Sequence, residues 1–285
     1  MLYAILVFHQ IITALAFPMV KLGLNQIDPL AYAFFRFTLT SIILIPILLT
    51  LRRRKPIPRR DNIRIFIIGL LVIILNQAVF MFGQSLTSAG HSSLLFATLP
   101  IFIYVLAIFF LGEKATVRRT VGILIAAVGV YIILAGGKAR FGTEYLLGDS
   151  IVLVAVIAWA VATILVKPLS LKYGAFRVIG LALVYGSIVY APYGLYRALN
   201  SDYSAVTWVG WVSVGYLVLF VSILAYFLWY WVLKYMEASR VAVIQNGQPI
   251  IASAVAAVVL SETISGGFVL GGIIVIAGVI LTEIK

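Results

Sequence analysis

Long apolar runs closed by short polar or turn-forming stretches recur along the whole chain. They fall at residues 2–22, 30–51, 65–86, 92–111, 119–136, 148–166, 176–196, 209–233, 241–260 and 266–282. About 20 apolar residues suffice to cross a bilayer as a helix, so the pattern predicts an all-α membrane protein with ten transmembrane helices. The breaks hold residues that let the backbone leave a helix: Asn25 and Asp28-Pro29, Pro56 and Pro58, Ser88-Ala89-Gly90, Gly136-Gly137 and Asn200-Ser201-Asp202.

Composition agrees and narrows the class. Of 285 residues, 64% are hydrophobic and 11% charged, with a mean hydropathy of +1.15. Ordinary soluble domains carry about 25% charged residues, so this chain needs the lipid bilayer as its solvent. Ten helices and their connections use the full length and leave no second, soluble domain. The first run opens without a basic segment ahead of it and reads as a retained helix rather than a cleaved leader. Cysteine is absent, which excludes disulfides, thiolate metal sites and cysteine nucleophiles.

The net charge of +12 does not indicate nucleic acid, because the basic residues lie in the gaps between apolar runs. The connections after helices two, four, six and eight hold Arg52, Arg53, Arg54, Lys55, Arg59, Arg60 and Arg64, with Lys114, Arg118, Arg119, Lys172, Arg177, Lys234 and Arg240. The opposite connections hold Lys138, Arg140 and Arg197. Lysine and arginine concentrate on the cytoplasmic side of membrane proteins, so both termini are expected there, in a multi-pass protein of the cytoplasmic membrane.

The chain also repeats itself. Ala89, Pro100, Leu111, Glu113, Gly122 and Gly129 are each followed, 149 positions later, by Ala238, Pro249, Leu260, Glu262, Gly271 and Gly278. Lys21 and Lys167 form a weaker pair, 146 positions apart. The expected halves are residues 1–141 and 142–285, five helices each within one membrane domain. An odd number of crossings forces the second half to enter from the other side. Inverted repeats of this kind recur in secondary transporters that alternate access, although channels and membrane enzymes also duplicate.

The pattern Lys21…Pro29…Arg36-Phe37, Pro100…Leu111-Gly112-Glu113…Gly122…Gly129, with Trp159-Ala160…Lys167…Pro249…Glu262…Gly271…Gly278, resembles the EamA family of the drug/metabolite transporter superfamily. The resemblance spans both halves. It implies a ten-helix basket that exports or exchanges small metabolites such as amino acids. Helices one, three, four, six, eight and nine would line its cavity, and five and ten would lie outside. Ser261 stands where the family has glycine before the glutamate, and Ala14-Leu15-Ala16-Phe17 where a tryptophan-glycine pair is common.

Polar side chains in hydrocarbon are costly unless they face the bundle interior, so each marks a candidate site. Asn76 and Gln77 lie roughly 18 Å beyond Arg64 at 1.5 Å per residue, near mid-depth. They serve either as substrate contacts or as interhelical hydrogen bonds. Gln245, Asn246 and Gln248 precede Pro249, which frees the carbonyl of residue 245; the amides either grip a solute or satisfy the broken backbone. Pro100 is the matching hinge, expected to kink helix four at Phe96. His9, Gln10 and Thr13 lie near mid-depth of helix one, with His9 a possible proton carrier or a bundle hydrogen bond. Trp159, Tyr226, Trp229 and Tyr230 form an apolar pocket or simply pack. Arg36 either snorkels outward or binds a substrate carboxylate. Lys21 and Lys167 are expected to snorkel, and Glu113 and Glu262 to cap or pair at the following helices.

No carboxylate falls near mid-depth of any run. Proton- or sodium-coupled carriers usually keep one there, so facilitated diffusion is expected. Acidic metal clusters, a Gly-x-Ser-x-Gly turn and a P-loop are all missing, which argues against an enzyme and against direct use of ATP. No cofactor or metal is expected. The function predicted is export or facilitation of amino acids or related amphipathic solutes. A multidrug or cation efflux carrier is the alternative, and a channel or membrane enzyme the alternative of another class. Gly267-x-x-x-Gly271 allows close helix contact, within a monomer or across a homodimer.

Overall fold

The computed structural model describes residues 2–51, 56–86, 95–96, 98–135, 146–244, 246 and 266–283. Among them the regular structure is helical, with no strand. The helices are α1 (Leu2–Leu24), α2 (Pro29–Leu51), α3 (Arg59–Gly69, continuing through Leu70–Ala78 and Val79–Ser85), α4 (Leu99–Leu111) and α5 (Val117–Ala135). They continue with α6 (Leu146–Tyr173), α7 (Ala175–Leu199), α8 (Trp208–Tyr216, then Leu217–Ala225 and Tyr226–Val232), α9 (Ala238–Ile244) and α10 (Gly266–Glu283). Among the described residues five stretches, within α2, α3, α6, α7 and α8, are long and apolar enough to cross a membrane, and shorter apolar helices lie in α1, α4 and α10.

Two helices outrun their hydrophobic runs. α3 starts six positions before residue 65, because its polar first turn finds partners: Asp61 accepts from Lys172 Nζ at 2.7 Å and from Tyr173 Oη at 2.6 Å, and Asn62 accepts from Tyr185 Oη at 2.9 Å. α6 runs past Pro168 to Tyr173 for the same reason. Pro100 does not kink a continuous helix. It sits in the first turn of α4, where its missing N–H has no partner to lose.

Glycines set the closest crossings. A Cβ on Gly69 of α3 would lie 2.3 Å from the Ala182 carbonyl oxygen of α7, and one on Gly186 of α7 would lie 2.3 Å from the Gly69 oxygen. Likewise a Cβ on Gly278 of α10 would fall 2.6 Å from the Gly122 oxygen of α5. The α5–α10 glycines therefore meet within one chain. α2, α3 and α6 pack on α7 and α8 around a core rich in buried aromatics, with Tyr32, Trp229 and Tyr230 fully enclosed. Outward faces carry leucine, isoleucine, valine and phenylalanine, as a surface facing lipid does.

Candidate functional site

Arg36 organises the centre. It lies about 10 Å inside α2 at 1.5 Å per residue and is 3% exposed, so it does not snorkel. Its Nε donates to Ser222 Oγ of α8 at 2.8 Å, and its Nη1 donates to Gln77 Oε1 of α3 at 2.8 Å. Gln77 Nε2 donates onward to Asn76 Oδ1 at 2.5 Å, and Asn76 Nδ2 to the Ala155 carbonyl of α6 at 2.9 Å. One guanidinium thus ties four helices together. Tyr226 lies within electrostatic reach of it. Trp159 packs on Tyr226 and Tyr230, at ring separations of 5.2 Å and 6.1 Å. His9 stacks on Trp229 at 5.6 Å.

The hydrogen-bond partners of Arg36 are neutral, and among the described residues no carboxylate pairs with it. A buried cation with only neutral partners keeps a large unspent attraction for an anion, because low dielectric magnifies Coulomb energy.

Both helices that hold Arg36 are locally wide-wound. Leu70–Ala78 of α3 and Leu217–Ala225 of α8 are nine-residue π-helical stretches whose first residues lie 147 positions apart. Val79 N–H reaches back five residues to Ile74 O, and Tyr226 N–H to Val221 O, the same two places again 147 apart. The π turns hold Asn76, Gln77 and Ser222, the residues that grip Arg36. Such turns concentrate at functional sites. Deleting Leu75 is expected to return α3 to α-helical winding and to rotate one side of the deletion by about 100° relative to the other. Asn76 and Gln77 then lose Arg36 or Ala155. Transport is expected to collapse while the melting temperature in detergent holds or rises; unchanged transport would show that the winding does not aim these amides.

Other predicted residues fall as follows. His9 Nδ1, both amide atoms of Gln10, Trp229 Nε1 and Asn246 Nδ2 are buried without a hydrogen-bond partner among the described residues. The Thr13 hydroxyl donates to the His9 carbonyl at 2.9 Å, closing on its own helix. Gln245, Gln248, Pro249 and Glu262 lie outside the described residues, as does the side chain of Lys21. Ser222 is the site residue that sequence reading misses: one hydroxyl in an apolar run carries no signal until Arg36 is placed beside it.

The profile of the EamA-like transporter family matches residues 1–135 and 146–284. The chain belongs to this family. It is 29% identical to the uncharacterized transporter YetK of Bacillus subtilis, over 93% of this chain and 81% of that one. It is 31% identical to a probable terminal-alkyne amino-acid exporter of Streptantibioticus cattleyicolor, over 97% of this chain and 91% of the relative. A solved crystal structure superposes with a TM-score of 0.81 at 16% identity, covering 99% of this chain and 95% of its own, which shows a shared fold. Family and relatives make this multi-pass helical chain a transporter rather than an enzyme.

In this EamA-family chain polar ties join helices at each end of the bundle. At the end rich in basic residues, Gly112 turns α4 with φ 67°, and the Glu113 carboxylate then caps α9 rather than the helix that follows. It accepts from Ala238 N at 2.6 Å, Ser239 Oγ at 2.5 Å and Lys167 Nζ at 3.2 Å. Lys167 also donates to the Met236 carbonyl at 3.0 Å, so it is held inside instead of snorkelling. Arg119 pairs with Glu237 beside it. At the opposite end Asp28 caps α2 through Leu30 N and Ala31 N, at 3.1 Å and 3.0 Å, and binds Arg197 Nη2 of α7 at 2.5 Å. Gln26 Oε1 accepts from Thr207 N at 2.8 Å.

Burial alone would raise the Glu113 and Asp28 carboxyls. The donors around each win, Ser239, Lys167 and Ala238 for the first and Arg197, Ala31 and Leu30 for the second, and both stand below their ordinary values of 4.5 and 3.8. A carboxyl depressed by folding stabilises the fold above its unfolded value and loses that stabilisation as pH falls through the folded one. The detergent-solubilised protein is expected to lose melting temperature on acidification below about pH 4.5. Glu113→Gln should flatten part of that decline, and an unaltered acid profile in this variant would count against the cap.

Proposed function

We propose that this chain is an alternating-access carrier of the cytoplasmic membrane that exports or facilitates small carboxylate-bearing metabolites, amino acids first among them. In this reading ten helices form two inverted halves, residues 1–141 and 142–285, with both termini cytoplasmic. Equivalent π turns in α3 and α8, 147 positions apart, support the two-half reading. The observation that carries the function is Arg36, a buried cation at the meeting of four helices whose partners among the described residues are neutral. A solute carboxylate completes that site, and the rings of Trp159, Tyr226 and Tyr230 offer its apolar part a surface. A cationic drug fits poorly, since Arg36 repels it. The name of the probable amino-acid exporter among the relatives points the same way.

Counterflow into proteoliposomes of labelled amino acids, nucleosides and cationic drugs tests this. Saturable exchange of an amino acid or similar acid is expected, insensitive to an imposed pH gradient in the wild type and in His9→Ala. Exchange confined to cationic drugs would overturn the substrate class, and single-channel currents would overturn the carrier. A pH-gradient dependence abolished by His9→Ala would replace facilitated diffusion with proton coupling.

A further inference from the structure

Away from the central cluster, a cavity of about 170 Å³ opens where the α6–α7 turn meets the end of α8. Its lining combines two cations, Arg177 and Lys234, with the rings of Phe176, Phe227 and Trp231. Phe176 and Phe227 meet edge to face at 5.6 Å and form an apolar wall. Gly174, at φ 90°, has nothing within 4 Å of where a side chain would start, so the turn leaves the mouth clear. The neighbouring carboxylate, Asp61, is engaged by Lys172, Tyr173 and Arg64 rather than by Lys234. Trp231 packs on Tyr235 at 4.9 Å, and the Lys234 ammonium lies 5.5 Å from the Tyr235 ring. A long cation beside aromatic rings at a helix end is the composition of a membrane interface.

We propose that this cavity binds the phosphate of an anionic phospholipid from the cytoplasmic leaflet. Lys234 meets the phosphate, and the aromatic wall takes the glycerol and the first methylenes of the chains. Basic pockets between transmembrane helices on the cytoplasmic side recognise lipid head groups in this way. A free phosphate would use the lysine and leave the rings without a role. The inference uses the proposed orientation but not the proposed substrate, so it stands or falls separately from Arg36.

The test is native mass spectrometry of the full-length protein after equilibration with phosphatidylglycerol or phosphatidylcholine. The readouts are retained lipid and the melting shift each lipid produces. The wild type is expected to retain phosphatidylglycerol over phosphatidylcholine. Lys234→Gln should cut that preference by about fivefold, the value of one lysine near an anionic surface. Lys114→Gln removes the same charge from the exposed α4–α5 connection and is the control; it is expected to leave the preference intact. Equal retention of the two lipids, or equal losses in both variants, would overturn a built site in favour of general surface attraction. Inorganic phosphate provides the second arm. If it raises the melting temperature through Lys234 as much as phosphatidylglycerol does, the ligand is a soluble anion and the lipid reading falls. Lys234 is only half-buried, so its variant should fold; counterflow of the transported solute reports that it has.

Discussion

Arg36→Gln is expected to lower counterflow of a carboxylate-bearing solute by roughly 10- to 100-fold, the worth of a charge-assisted hydrogen bond of about 1.5–3 kcal/mol. Glutamine can still reach toward Ser222 and Gln77, so the four-helix junction retains neutral hydrogen bonds and the fold is kept. What disappears is the charge. Arg36→Lys restores a point charge without the planar fork that serves Ser222 and Gln77 together. It is expected to recover only part of the rate, mainly through KM. Initial rates in proteoliposomes over a range of solute concentrations separate these cases. Were Arg36→Gln to transport the acid at wild-type KM, the guanidinium would be a structural tie and the carboxylate reading would fail. Neutral analogues of the same solute, with the acid replaced by an amide, should lose far less than the acid does.

Gly186→Val should be severely damaging to stability, as the same change at its partner Gly69 would be. The first atom of any side chain there would stand 2.3 Å from the Gly69 carbonyl oxygen, and backbone cannot swing aside as a flexible side chain can. Overpacking costs about 1–3 kcal/mol and more where the backbone must move, so the upper end applies. α3 would be pushed off α7, and with it the π turn that presents Asn76 and Gln77. A large fall in melting temperature and in the monodisperse fraction after detergent extraction is expected. Gly215→Val is the control, because nothing lies within 4 Å of its added carbon. Equal stability of the two variants would contradict the α3–α7 crossing.

Much of this was legible along the chain. Each described helix lies along one of the hydrophobic runs, because lipid requires every crossing segment to satisfy its own backbone and to show apolar side chains on the outside. That rule is local, so sequence carries it. Helix ends were less legible. Asp61 and Asn62 read as loop residues, but partners on α6 and α7 stabilise a polar turn that no periodicity marks. Lys167 gives the same lesson. Alone it looks like a snorkelling helix-end lysine, and only Glu113, 54 positions away, keeps it inside.

The site divides along the same line. Residue type and depth singled out Arg36, Asn76, Gln77, Trp159, Tyr226 and His9, since polar or bulky groups inside a membrane are conspicuous one at a time. That Arg36 joins Gln77 and Ser222, while Asn76 turns to Ala155, depends on pairs up to 186 positions apart. It depends too on a π winding that rotates those side chains into place, and hydropathy is blind to winding. Sequence by itself therefore determined the solvent of this protein, the helical course of its chain and the family to which it belongs. Tertiary structure alone decided which buried charge has only neutral partners among the described residues, because the partners of a charge are neighbours brought together by folding and not a property of any residue in the line.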